Sequence, residues 1–181
     1  MARSVVLVQH GQSEWNAGCI LQGQADIAWS ALERQQDDAL DPAISALNPC
    51  RVTTSDLVRT SETAERLGLP DAGREPRLRE INVVILQGRA IVELQAEDPV
   101  SDHACQAGTH RPKKGDLWDK FVKRTAAAIL EEAAESGKTL LAPCHGGVIR
   151  ALLLRLVVLA PRQIIPVARG SMTALRLSGD G

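Results

Sequence analysis

Aromatic residues are nearly missing from this chain: its 181 residues include three Trp, one Phe and no Tyr. That excludes a base-stacking platform for single-stranded nucleic acid, and it leaves the core to be built from Leu, Val, Ile and Ala. A dominant charge is missing too. With 21 basic and 22 acidic residues the net charge is -1, which gives no electrostatic footprint for a nucleic-acid backbone or an anionic membrane surface. Long apolar runs are also lacking. Val5 to Val8 is too short for a signal peptide, and the stretch Val148 to Ala160 is interrupted by Arg150 and Arg155. Cys19, Cys50, Cys105 and Cys144 form no Cys-x-x-Cys pair, so neither a zinc site nor a redox dithiol is indicated and reduced, mostly buried thiols are expected. These absences predict a soluble cytoplasmic protein whose ligand is a small solute, with no nucleic-acid or membrane partner.

The length and the 44% hydrophobic content suffice for one proper core, so residues 1–181 are expected to form a single domain. Ser4 to Gln9 is a short, continuous, Val-rich run that stops at His10-Gly11, as a buried central strand would. Ser30 is placed as the N-cap of a helix to about Leu40, and Asp41-Pro42 as cap and first-turn proline of a helix to Leu47. Arg51 to Thr54 reads as a strand and Asp56 to Leu67, closed by Gly68 and Pro70, as a helix. A helical turn or two ends at Glu97, and Asp98 to Gly115 reads as a loop of the kind that often serves as a lid. Leu117 to Ser136 has helical spacing. Thr139 to Pro143 is a second buried strand ending in His-Gly, here His145-Gly146, and it leads into a helix from Val148 to Leu159. Ile164 to Val167 and Ser171 to Leu177 complete the sheet. This alternation predicts a three-layer α/β fold with a mostly parallel central sheet, whose ligands gather beyond the carboxyl ends of the strands.

A histidine after a strand is more often a structural residue than a nucleophile. Here His10, Arg59, Glu80 and His145 lie on separate segments, each near an element end, which is the dispersal a converging site requires. His10-Gly11 is followed by Gln12, Ser13 and Asn16, polar groups suited to an anion. The bland readings stay open beside this: Arg59 and Arg150 could pair with carboxylates, His103 and His110 could be solvated, Lys113 and Lys114 could form an exposed charged loop, Glu14 and Glu62 could be surface or capping groups, and Cys144 could be a small core residue.

The segments Val8-Gln9-His10-Gly11-Gln12-Ser13-Glu14-Trp15-Asn16, Leu21-Gln22-Gly23-Gln24, Thr54 to Ala64, Leu78-Arg79-Glu80 and Cys144-His145-Gly146-Gly147 through Leu153 resemble, in order, those of the histidine phosphatase (phosphoglycerate mutase-like) superfamily. The resemblance implies that His10 attacks phosphorus and becomes phosphohistidine, that Glu80 protonates the leaving oxygen and then serves as base for water, and that His145 holds phosphoryl oxygens. It further implies phosphate binding by Arg59, Asn16, Gln22, Gly23 and the side chain at position 9, on a small phosphorylated metabolite, with no metal and no cofactor. The Leu- and Ala-rich helix faces would suit a homodimer, although the same pattern describes a core.

The resemblance breaks at position 9, where the family's Arg-His-Gly motif has Arg and this chain has Gln9. A charge about 4 Å from a phosphate oxygen is worth about 4 kcal/mol at an effective dielectric near 20, and losing one preorganised donor lowers turnover roughly 10²- to 10³-fold. The family's Gly-x-Trp-Glu-Gly is replaced by Val84-Ile85-Leu86-Gln87-Gly88, and its Pro-Gly-Gly-Glu-Ser loop by Pro112-Lys113-Lys114-Gly115-Asp116. A working phosphatase with a retuned pocket, a non-catalytic binder of a phosphorylated ligand or partner protein, and an enzyme repurposed for another reaction are all compatible with this pattern. Hydrolysis is expected before mutase chemistry, because family mutases usually carry longer enclosing insertions.

Overall fold

The computed structural model describes residues 3–27, 40–100, 107, 114–164 and 167–178. The expected helix from Ser30 and most of the 98–115 loop, with His103, Cys105, His110, Pro112 and Lys113, lie outside them. Strands β1 (Arg3–Gln9), β2 (Arg51–Thr54), β3 (Gly73–Arg74), β4 (Thr139–Cys144) and β5 (Met172–Leu177) form one sheet in the order β3-β2-β4-β1-β5. Every neighbouring pair is parallel except β1 with β5. Helices with both ends among the described residues are α1 (Glu14–Ala17), α2 (Asp41–Leu47), α3 (Val58–Arg66), α4 (Ile91–Glu97), α5 (Trp118–Glu135) and α6 (Gly146–Val157), with short 3₁₀ turns at Pro76–Leu78, Val84–Leu86 and Pro161–Gln163. The fold is the expected α/β arrangement, a mostly parallel sheet flanked by helices.

Val5 to Val8 of β1 form a continuous apolar run because the strand lies between β4 and β5 with cover on both faces. Alternation along the strand sends Val5 and Leu7 into a cluster with Leu140, Phe121, Ile129, Val148 and Leu152, on the side of α5 and α6. Val6 and Val8 face the other way and pack with Ile44, Leu67 and Leu141. Each fully buried Leu or Val contributes roughly 1.5–3 kcal/mol relative to leaving it in water. β5 alternates exposed and half-buried positions, as an edge strand with one covered face does.

Several details differ from expectation. α2 is capped by Leu40 rather than Asp41, so both Asp41 and Pro42 belong to its first turn. α6 begins at Gly146, two residues early, because His145 in an extended conformation serves as its N-cap. Ile164 and Val167 are not in a strand, and residues 165 and 166 are outside the described set. Cys19 and Cys50 are exposed, with only Cys144 of the described cysteines buried. Cys19 sits in a turn after α1 with φ 53 and Cys50 just before the partly exposed start of β2, positions that core packing does not reach.

Candidate functional site

The register that pairs Gln9 with Cys144 puts the carboxyl ends of β1 and β4 side by side. His10 and His145 therefore emerge together, with ring centroids 5.3 Å apart and planes at 67°. Both rings are buried. His10 lines a cavity of about 290 Å³ whose wall also includes Gln9, Asn16, Gln22, Gly23, Arg59 and Glu80, and His145 packs against His10 and Arg59. A larger cavity of about 470 Å³ lies at the far edge of the sheet, between Arg51, Asp71, Arg74 and Glu132. Its Arg51 and Glu132 are already paired with each other at 2.5 Å, and no described histidine lines it, so the smaller one is the candidate site.

The two imidazoles are held in opposite tautomers. His10 Nδ1 lies 2.6 Å from the carbonyl oxygen of Gly11. A carbonyl only accepts, so Nδ1 carries the proton and Nε2 keeps its lone pair. At His145 the assignment reverses, because Arg59 Nε donates to Nδ1 at 3.3 Å. The proton of neutral His145 then sits on Nε2, which is buried with no hydrogen-bond partner. One ring offers a lone pair and the other an N–H. Burial, followed by the Arg59 charge, lowers His10 from the usual 6.5 to about 3. The same two causes hold His145 well below the usual histidine range. Both rings are accordingly neutral at pH 7.

Arg59 is 1% exposed. It donates from Nη1 to the Ala25 carbonyl and from Nη2 to the Gly23 carbonyl, each at 2.7 Å. These bonds tie the 22–25 turn to α3, and the Glu80 and Asp26 carboxylates act on the same guanidinium. Burial lowers its guanidinium to about 10, so it stays charged at neutral pH. Gly23 has φ +53, and a Cβ there would meet Val83 at 2.6 Å, so only glycine fits.

Glu80 reaches the site from the segment after the Pro76–Leu78 turn. Its Oε1 accepts from Ile81 N–H at 2.7 Å and its Oε2 from Gly147 N–H at 2.9 Å. The carboxylate thus takes one of the unpaired donors at the start of α6, where a negative charge meets the favourable end of the helix dipole. A Cβ on Gly147 would come within 2.0 Å of Oε1, so the second glycine of the His-Gly-Gly run makes room for Glu80.

Asn16 lines the cavity while its Oδ1 accepts from Ser13 N–H at 3.2 Å, closing a capping box on α1. Gln22 donates from Nε2 to Ser13 Oγ. The Oε1 atoms of Gln22 and Gln9 are buried without partners. Gln9 packs against Gly146, where a Cβ would stand 3.1 Å from its Oε1. Arg150 also lines the cavity, half-buried, and has no carboxylate partner among the described residues, contrary to the pairing considered above. Cys144 is a fully buried core residue, and burial pushes its thiol up. Glu14 and Lys114 are exposed.

Sequence reasoning missed the groups that hold Glu80 in place. Gln24 Nε2 donates to the Glu80 carbonyl at 2.9 Å. Arg79 clasps Asp56 with bonds of 2.7 and 2.5 Å. Arg124 donates to the carbonyls of Arg77 and Arg79 and to Asp116, whose Oδ2 also accepts from Asn82 N–H. A bidentate Arg–Asp clasp between distant segments leaves no local sequence signal.

Comparison with known proteins gives one consistent result. The sequence matches the family described as "Histidine phosphatase superfamily (branch 1)" over residues 5–181. It is 32% identical over 169 residues to a glucosyl-3-phosphoglycerate phosphatase of Mycolicibacterium vanbaalenii, spanning 86% of this chain and 74% of that protein. To a probable phosphoglycerate mutase of Yersinia enterocolitica it is 32% identical over 166 residues, 87% of this chain and 76% of that one. The solved structure of a mycobacterial glucosyl-3-phosphoglycerate phosphatase in complex with VO3 superposes with a TM-score of 0.85 at 28% identity, covering 95% of this chain and 92% of the other.

Proposed function

The chain belongs to the histidine phosphatase superfamily, and on that premise we propose that it hydrolyses a small phosphorylated metabolite through a phosphohistidine at His10. The observation that carries this reading is the pair of opposed tautomers, with a nucleophilic Nε2 on His10, which lines the cavity, and a hydrogen-bond donor on Nε2 of the adjoining His145.

In the first step the His10 Nε2 lone pair attacks phosphorus while the ester P–O bond breaks. The leaving oxygen takes a proton from the Glu80 carboxyl and departs as the alcohol. In the second step water attacks phosphorus on the face opposite His10 and gives its proton to Glu80, while the N–P bond breaks, returning the lone pair to His10 and releasing inorganic phosphate. Arg59 supplies positive charge beneath the phosphoryl group, and His145 Nε2–H donates to a phosphoryl oxygen. Gln22 and Asn16 contribute neutral polar groups, and the Gly23 turn gives the backbone its close approach. These roles need no metal or cofactor. The binding of VO3 by the structurally similar mycobacterial phosphatase supports an oxyanion site in the corresponding cavity.

Gln9 occupies the place of the motif's arginine, and it retunes the site: it keeps an amide for the phosphoryl group but supplies no charge. That neutral side chain is also the one observation favouring the second reading, a binder of phosphorylated ligands that does not turn them over. A panel of small phosphate monoesters separates the two readings. Phosphate release by the wild type that vanishes in His10→Ala supports the phosphatase. Binding of the esters without release from any of them, in both wild type and Gln9→Arg, would sink it. Hydrolysis is preferred to mutase chemistry, and release of free phosphate rather than a positional isomer checks that preference.

A further inference from the structure

Resting on the phosphatase reading, we propose that Arg150 is a substrate-binding residue that selects esters whose alcohol portion is a compact aliphatic body bearing a second acidic group, such as a carboxylate. The charged and polar groups of the cavity wall assigned to the phosphoryl end are Gln9, His10, Asn16, Gln22, Arg59 and Glu80. The rest of the wall is built from Ile20, Leu21, Ile81, Val83, Ile91 and Val167, and among the described residues Arg150 is the one further charged side chain on it. A wall of aliphatic side chains with a single cation fits an apolar body ending in an anion better than it fits a polyhydroxylated one, whose hydroxyls would lose water without gaining partners.

Position 150 follows Gly146 and Gly147 by one helical turn, so the three share a face of α6. Helical side chains lean toward the N-terminus and cover the turn before their own Cα. The space over those two glycines is where the Gln9 and Glu80 side chains come in, so Arg150 stands on the face of α6 that borders the cavity. It is half-buried and makes no hydrogen bond or ion pair with a described residue. A guanidinium held in that way is matched to a carboxylate, which it can bind through two parallel hydrogen bonds.

The test uses butylphosphonate and 4-phosphonobutanoate, which share a phosphonate and an aliphatic chain and differ in the terminal carboxylate. Their dissociation constants are measured by calorimetry on the wild type, Arg150→Gln and Arg150→Lys. A hydrogen bond between charged groups corresponds to about 10- to 100-fold in affinity. The wild type should bind 4-phosphonobutanoate more tightly by that factor, Arg150→Gln should abolish the difference while leaving butylphosphonate within about twofold, and Arg150→Lys should keep part of it. Equal affinities in the wild type, or an equal loss on both ligands in Arg150→Gln, would overturn the proposal. Turnover of the corresponding esters by wild type and His10→Ala is read separately: selective binding without turnover leaves Arg150 in its role and sinks the phosphatase reading instead.

Discussion

The ends of β1 and β4 carry the same dipeptide, His-Gly, on adjacent parallel strands, yet they finish as opposites. After β1 the chain turns irregularly and His10 bonds to its own neighbour's carbonyl. After β4 the helix α6 begins at once, and His145 is contacted from outside by Arg59 on α3. A local acceptor frees Nε2 as a lone pair in the first case, and a distant donor turns Nε2 into an N–H in the second. Identical residues at equivalent strand ends thus acquire different chemistry from what sits behind them.

Removing each ring in turn gives the largest expected effect. His10→Ala should reduce turnover at least about 10⁴-fold and prevent any covalent intermediate, whereas His145→Ala should cost roughly 10²- to 10³-fold and still allow the intermediate to form. Equal losses with no intermediate in either variant would erase the distinction. The two glycines after His145 sharpen it further. Gly147→Ala must displace the Glu80 carboxylate from its 2.0 Å approach, so kcat should fall roughly 10²-fold, while circular dichroism stays native because only a flexible side chain moves. Gly146→Ala meets only Gln9, at 3.1 Å, and should change kcat by no more than about threefold; comparable losses in the two variants would count against the placement of Glu80.

A smaller effect is expected on the β1 side. Gln9→Arg adds a positive charge to the cavity wall, and on the proposed reading kcat/KM for a phosphate monoester should rise about tenfold. An unchanged value would mean that position 9 is not near the phosphoryl group. The pH dependence of stability probes both rings together. Their folded values lie below the ordinary 6.5, with His10 at about 3, so between those limits the unfolded chain binds more protons. Their contribution is fully present above pH 6.5 and is lost as pH falls toward 3, with a slope of up to about 1.4 kcal/mol per pH unit for each ring. Urea unfolding between pH 7 and 4 should show this loss, reduced in His10→Gln.

Strands β1 and β4 were legible because their buried cores, Val5 to Val8 and Leu140 to Pro143, are continuous apolar runs. The histidines were legible because each such run ends in His-Gly. The start of α6 was missed by two residues, since histidine is not a usual cap and the capping carboxylate comes from Glu80, far away in sequence. The anchoring of Arg59 on the carbonyls of Gly23 and Ala25, and the hold of Arg124 and Asp116 on the Glu80 segment, depend on tertiary approach and leave no periodic trace. The packing of Gln9 on Gly146 could not be read from the sequence.

The central claim is that His10 is the covalent carrier. Rapid acid-free quenching of the protein with a turned-over phosphate ester, followed by peptide mass spectrometry, tests it most directly. An acid-labile phosphoryl group on the peptide containing His10, absent in His10→Ala, is the predicted result. Turnover with no label on His10, or a label on another residue, would contradict the account.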